Sequence, residues 1–408
     1  MHIKKLRYIQ GDVYSFISIL FIWIAAIASL YSDTANKIGL YVALPIAFFF
    51  STLKNRGFHF SVYEKILYAL YAWDCFSYLW ADNKEFAAGE IHMLLGAFLL
   101  TYVISILARE KKNIPYLYFA FILLYLSAWN YARQNILVFM VGDNDRLNDD
   151  KLNANTLAYY TFYISFLTFM LSEIVKSKRL KNIWTWAFWL MLPVSFATAL
   201  LTASRQVLLV QIPLYALLIY IRYLKGVSVK RQIAFAVAGL ICLIILAGPI
   251  INILSNSFLG ARAESNVNDD PRMALAINAL QVGIANLPLG IGASNFQTIS
   301  VTLQIAHNSY LEAFADMGIP GLALYTALML VFTLRQWKRY RESHDKMYFA
   351  FFTFGLIYIF DGVFFVFYNA IWLISFFMLV AAHSETYFKD KSSTTEVYKG
   401  SAINKNLK

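Results

Sequence analysis

The chain reads as an all-α polytopic membrane protein of about twelve helices with one large outer loop. Three observations predict the helical class. First, 59% of the 408 residues are hydrophobic and only 14% charged, against roughly 25% charged in a soluble domain. Second, apolar runs recur that are long enough to cross a hydrocarbon core of ~30 Å as helices. They are too long for barrel strands, and helices are then the only way to satisfy backbone polar groups in lipid. Third, the cations are unevenly placed.

In order, the apolar runs place spans at 13–31, 38–53, 62–80, 90–108, 115–133, 156–175, 183–202, 205–223, 232–254, 308–334, 347–365 and 367–384. With the N-terminus in the cytoplasm, 26 Lys and Arg residues fall on the cytoplasmic side and eight on the other, with Lys65 inside a span. This bias orients polytopic proteins. It predicts cytoplasmic N- and C-termini, and it explains the net charge of +11 without a nucleic-acid partner. Cys75 and Cys242 lie within spans and show neither metal nor disulfide spacing. Residues 22–32 faintly resemble a signal-peptidase site, but the run before them is long enough to stay as an anchor.

The predicted organisation is one membrane domain without internal repeats. Residues 1–254 carry the first nine spans, 255–306 a large periplasmic loop, 307–388 three further spans, and 389–408 a polar, disordered tail. A second outer segment covers 134–155. Loops as long as 255–306 are usually functional or disordered. Within this one, 269–284 predicts a helix, with Asp270 as N-cap and Pro271 at the first helical position. Met273, Ile277, Leu280 and Ile284 form one apolar stripe, which predicts a helix lying against the membrane domain. The following Pro-Leu-Gly-Ile-Gly run predicts a tight chain reversal.

The residues able to do chemistry gather on the outer side of this scheme. His307 begins the tenth span, where an imidazole can accept a proton near neutral pH. Asn308 and Ser309 can cap that helix, and Glu312 lies one turn beyond Asn308. Arg205 sits at the outer end of a span, where a cation costs roughly 2.5–3.5 kcal/mol on insertion scales. A phosphate group would offset that cost, since guanidinium matches phosphate oxygens with paired donors; a snorkelling Arg is the alternative. Arg272 occupies the first turn of the loop helix, a natural anion site, or else is a solvated cation. Arg146 and Asn155 precede the sixth span, where Asn155 could act as an N-cap. The pairs Asp149–Asp150 and Asp269–Asp270 are explained by turns and caps, with divalent-ion recruitment the alternative.

With these residues in place, the chain resembles the O-antigen ligase / O-antigen polymerase superfamily. Four pieces carry the resemblance: Arg146-Leu followed by Asn-Ala-Asn-Thr-Leu-Ala to 158; Ser204-Arg205 opening a span; the Arg272 helix followed by PLGIGASNF at 288–296; and HNSYLE at 307–312 with Gly318-Ile-Pro-Gly321. Asn-Ala-Asn stands where many relatives carry an Asn-Pro-Asn-like turn. The resemblance implies a membrane-glycosyltransferase (GT-C-like) fold of about twelve helices in the bacterial inner (plasma) membrane, and transfer of a glycan from undecaprenyl pyrophosphate to an acceptor hydroxyl, such as a lipid A–core sugar, on the periplasmic face. It implies no cofactor and no metal. Arg205, Arg272 and Arg146 would bind the pyrophosphate, His307 would orient or deprotonate the acceptor hydroxyl, and Asn308, Glu312 and Asn155 would support them.

Ligase, repeat-unit polymerase and protein O-glycosyltransferase share the donor-binding pieces and stay open at this point. A non-enzymatic transporter or flippase of polyprenyl-linked sugars is a reading from a different class. It would favour internal repeats and ionisable mid-span residues, of which Asp74 and Asp361 are the main ones. An inverting single displacement is the expected stereochemistry.

Overall fold

A computed structural model describes residues 2–55, 60–141, 154–202, 204–235, 237, 271–300 and 303–405. Every regular element among them is helical. α1 (His2–Ala28) turns back into α2 (Asp33–Asn55), which Ser32 caps by accepting from Ala35 N at 3.1 Å. The pair approaches closely because a Cβ on Gly39 would stand only 3.3 Å from the Ala25 Cα, the small-residue contact that lets membrane helices meet. α3 (Val62–Ser77) opens with a reciprocal capping box between Ser61 and Glu64. α4 (Lys84–Leu107) is capped by Asn83.

Next come α5 (Ile114–Val141), α6 (Ala154–Ile174), α7 (Lys178–Leu201) and α8 (Arg205–Ile219), the last extended by a π-helical turn at Tyr220–Leu224. α9 (Pro271–Ala285) and the single turn α10 (Phe296–Ile299) precede α11 (Ser309–Ser343). α12 (Lys346–Asp361) and α13 (Ile371–Lys405) complete the chain.

Seven of the described helical segments are long and apolar enough to cross a membrane: α2, α4, α6, α7, the segment Gln206–Leu224, α11 and part of α13, Ile371–Lys391. Shorter apolar stretches occur at Asp12–Ala28, Ile114–Asn130 and Arg272–Ala285. The span expected at 232–254 lies almost wholly outside the described residues. Two helices run past the limits that composition predicts. α5 continues to Val141, into the expected outer loop. α13 continues to Lys405, through the segment expected to be disordered. The first residues of that segment are tied down by ion pairs, Asp390 to Lys111 at 2.6 Å and Lys391 to Asp345 at 3.2 Å.

α6 is buried along nearly its whole length and forms the centre of an aromatic core. Phe166 stacks on Phe354 of α12 at 4.7 Å, and Tyr163 meets Tyr358 at 5.2 Å. Phe332 of α11 meets Phe377 of α13 at 5.1 Å. Core aromatic pairs contribute about 0.5–1.5 kcal/mol each beyond their burial.

The cations cluster at one end of this bundle. There Lys54 pairs with Glu110 at 2.7 Å, Lys346 with Glu173 at 2.7 Å and Arg339 with Glu385 at 2.9 Å. Arg222 reaches Ser172 at 2.9 Å and Thr185 at 2.6 Å, which brings the end of α6, the start of α7 and the turn after α8 together. The helix directions then place the starts of α6, α8 and α11 and the ends of α7 and α12 at the opposite end.

Candidate active site at one end of the bundle

That opposite end holds the two segments most distinctive in the sequence, and they dock on each other through backbone. α11 breaks at Gly318, whose φ of 65° and ψ of −154° are not helical. The break frees carbonyls and amides that a continuous helix would use internally. The 288–292 segment takes them up: Ile291 N donates to Ala315 O at 3.0 Å, Gly292 N to Asp316 O at 2.8 Å, and Ile319 N to Pro288 O at 3.0 Å. Trp73 of α3 donates its Nε1 to Met317 O at 2.9 Å. Gly290 (φ 74°) permits the approach, since a Cβ there would lie 2.5 Å from Asp316 O.

The clasp continues along the chain. Asp316 Oδ1 accepts from Phe296 N at 2.7 Å, capping the loop that leads into α10. Asn295 accepts from Asn83 N at 2.7 Å, which ties the same loop to the turn between α3 and α4.

His307 sits between this clasp and α11. Its φ of 52° places it in the left-handed region, uncommon for a residue other than glycine and frequent at functional turns. Bonds on both sides hold it there. Ala306 N, just before it, donates to the buried Glu312 carboxylate. Asn308, just after it, caps α11 by accepting from Tyr310 N and Leu311 N at 3.0 Å each. Ser309 then bonds the wall opposite: its N–H donates to Gly362 O at 2.7 Å, its hydroxyl to Phe365 O at 2.7 Å, and it accepts from Phe367 N at 3.0 Å. Glu312 therefore steadies the backbone before His307.

α9 brings Arg272 to the same place. Leu275 and Ala279, buried on its inner face, pack with Ala306, Ala315 and Phe296. Gly283 lies against Phe314, whose ring a Cβ would overlap. Arg272 is one turn before Leu275 on that inner face, and Ala306 is the residue before His307. The helix thus lies against the bundle as its period predicts, but by the other face. Met273, Ile277, Leu280 and Ile284 are each about half exposed. No Asp, Glu, Lys or Arg occurs between Met273 and Ala306, so this outward face carries no charged side chain.

Near Arg272 lies the second turn of α6, which carries Tyr159. Tyr159 is fully buried, its ring meeting Phe365 at 5.3 Å, Phe367 at 5.6 Å and Tyr163 at 6.0 Å. It lies within electrostatic reach of both Arg272 and Asp361. The Asp361 carboxylate accepts from Tyr163 OH. Asn155 is buried and is the second residue of α6 rather than its N-cap.

Four further carboxylates, Asp74, Glu90, Glu312 and Asp316, are buried within electrostatic reach of one another around Tyr368. Only Asp74 among them stands out in sequence as a mid-span acid. The four-residue spacing of Glu312 and Asp316 was the available signal for a shared helix face. Among the described residues no group of three or more His, Cys, Asp or Glu has an arrangement that could hold a metal ion.

Not every sequence-predicted residue is placed. Arg146, Asp149, Asp150, Asp269 and Asp270 lie outside the described residues. Arg205 begins α8 at this end of the bundle, but only its backbone is described.

Seven apolar helices, with polar motifs locked together where their ends meet, define an all-helical membrane protein. Residues 186–326 match the family model described as O-antigen ligase, which supports the O-antigen ligase/polymerase superfamily for this chain. Arg205, Arg272 and His307 all fall within the matched segment, whereas Arg146 and Asn155 precede it. No curated protein sequence matches the chain.

Proposed function

We propose that the protein transfers a glycan from undecaprenyl pyrophosphate to an acceptor hydroxyl, a lipid A–core sugar in the ligase reading, on the periplasmic face of the inner membrane. The observation that carries this is the packing of Arg272's helix against the residue before His307, inside a segment that matches the O-antigen ligase model. It sets a guanidinium and an imidazole at one end of a membrane bundle. The positive-inside bias supports the reading that this end faces the periplasm.

The chemistry balances without an external energy source. The acceptor hydroxyl loses its proton to the His307 imidazole as its oxygen bonds to the anomeric carbon. The bond from that carbon to the diphosphate oxygen breaks, and undecaprenyl diphosphate leaves with the electron pair. Arg272 and Arg205 match the charge that develops on the leaving group, with Arg146 as a further candidate. Preorganised charge of this kind is the main source of stabilisation in such sites. One displacement at the anomeric carbon inverts its configuration, and NMR of the product linkage checks this.

The test is a deletion strain examined by lipopolysaccharide gel and complemented with wild type or His307→Ala. Loss of the ladder with accumulated lipid-linked polymer, restored only by wild type, is the expected ligase result. Single-repeat bands mean a polymerase. An unchanged ladder in the deletion strain rejects both.

A further inference from the structure

We infer that the hydroxyl of Tyr159 is a further donor-binding group, which hydrogen-bonds an anionic oxygen of the diphosphate held by Arg272. This rests on the proposed function, specifically on Arg272 binding the donor's diphosphate. Two observations on the α6 side of the site lead here. The Tyr159 side chain is fully buried, yet its hydroxyl has no hydrogen-bond partner among the described residues. A buried polar group left unsatisfied costs stability, so each instance calls for a reason. Its neighbour Tyr163, one turn along the same helix, shows the ordinary solution by donating to Asp361. Tyr159 lies within electrostatic reach of Asp361 but makes no such bond.

The second observation is proximity and restraint. Tyr159 is also within electrostatic reach of Arg272, and its ring is fixed among Tyr163, Phe365 and Phe367. A ring held on three sides keeps its hydroxyl in one place, so little entropy is lost when it binds. Phe365 is the partly exposed member of that group, so a phosphate oxygen would have to reach the hydroxyl from the Phe365 side, while Tyr163 and Phe367 keep the ring in place. The phenol is an O–H donor, and an O–H to phosphate bond is charge-assisted, about twice as strong as a neutral one. Arg272 would supply the paired N–H donors and Tyr159 the third.

The test separates a binding role from a packing role because Tyr159→Phe keeps the ring and removes only the unpartnered oxygen. Wild type, Tyr159→Phe and Arg272→Ala are purified in detergent, and thermal unfolding is followed with and without added undecaprenyl diphosphate, whose binding raises the midpoint. The expected result is a Tyr159→Phe protein at least as stable as wild type on its own, with affinity for undecaprenyl diphosphate about tenfold or more weaker. Wild-type affinity in Tyr159→Phe together with weakened binding in Arg272→Ala overturns the inference and leaves the proposed function standing. A Tyr159→Phe protein that is less stable without ligand marks the hydroxyl as structural and also overturns it. Wild-type affinity in Arg272→Ala removes the diphosphate reading itself.

Discussion

Replacing Gly318 by Ala tests how the two docked motifs hold the site together. The backbone there, φ 65° and ψ −154°, lies in a region open essentially to glycine, and another residue costs about 1–3 kcal/mol in strain. The new Cβ would overlap Pro288 O and stand 2.6 Å from the Leu289 carbonyl carbon. Both are backbone atoms and cannot swing aside as a side-chain end could. Separating the two docked segments breaks the 3.0 Å bond from Ile319 N to Pro288 O and loosens those from Ile291 N and Gly292 N, each contributing about 0.5–1.5 kcal/mol net. Together these weaken the docked state by about 3 kcal/mol, roughly a hundredfold in its population. Gly89→Ala is the control, because a Cβ there meets nothing within 4 Å in the middle of α4; it should be neutral or stabilising by up to about 1 kcal/mol. The assays are thermal unfolding in detergent, proteolysis of the 286–300 loop, and glycan transfer. A Gly318→Ala protein as stable, as protected and as active as Gly89→Ala refutes the reasoning.

Three other outcomes follow from the same contacts. Asn308→Ala removes the cap of α11 and should cost about 1 kcal/mol, read as a lower unfolding midpoint with reduced transfer. Arg272→Lys and Arg205→Lys keep charge but lose the paired donors, so both should raise the KM for the lipid-linked donor. Asp345 lies outside the spans at the start of α12. Burial pushes its carboxyl up, but bonds from Met347 N, Tyr387 OH and Lys391 outweigh this and hold it below its ordinary value of 3.8. Its stabilisation is therefore present above that value and is lost as pH falls through the lower folded value. Asp345→Asn should lower the unfolding midpoint at pH 7, and the gap from wild type should close at pH values below 3.8.

The helical class was legible because lipid leaves so few options. Apolar length alone marks the helical segments, seven of which among the described residues are long and apolar enough to cross a membrane. The faces of helices were harder. Met273, Ile277, Leu280 and Ile284 have the period of a packed stripe, yet the small residues Ala279 and Gly283 on the other side make the contact. Periodicity shows that a helix has two faces and does not say which one a membrane protein turns inward. Asn155 looks like a cap in sequence because Asn favours that position, but α6 begins before it. The 288–296 and 306–322 segments stood out by their residue types. Their mutual docking did not, because its bonds are backbone to backbone and depend on the break at Gly318. The electrostatic proximity of Tyr159 and Arg272 arises only from tertiary packing, across more than one hundred residues of chain, and no local pattern announces it.

The central claim is that this membrane bundle performs the transfer itself and that His307 takes part. The most direct measurement incubates the purified protein in detergent, without vesicles, with a lipid-linked glycan donor and its acceptor, beside a His307→Ala protein of equal stability. The account predicts glycan-extended acceptor from wild type and essentially none from the variant. Product at equal rates from both would contradict the role of His307, and no product from an intact wild type with its matched donor and acceptor would contradict the assignment as a transferase.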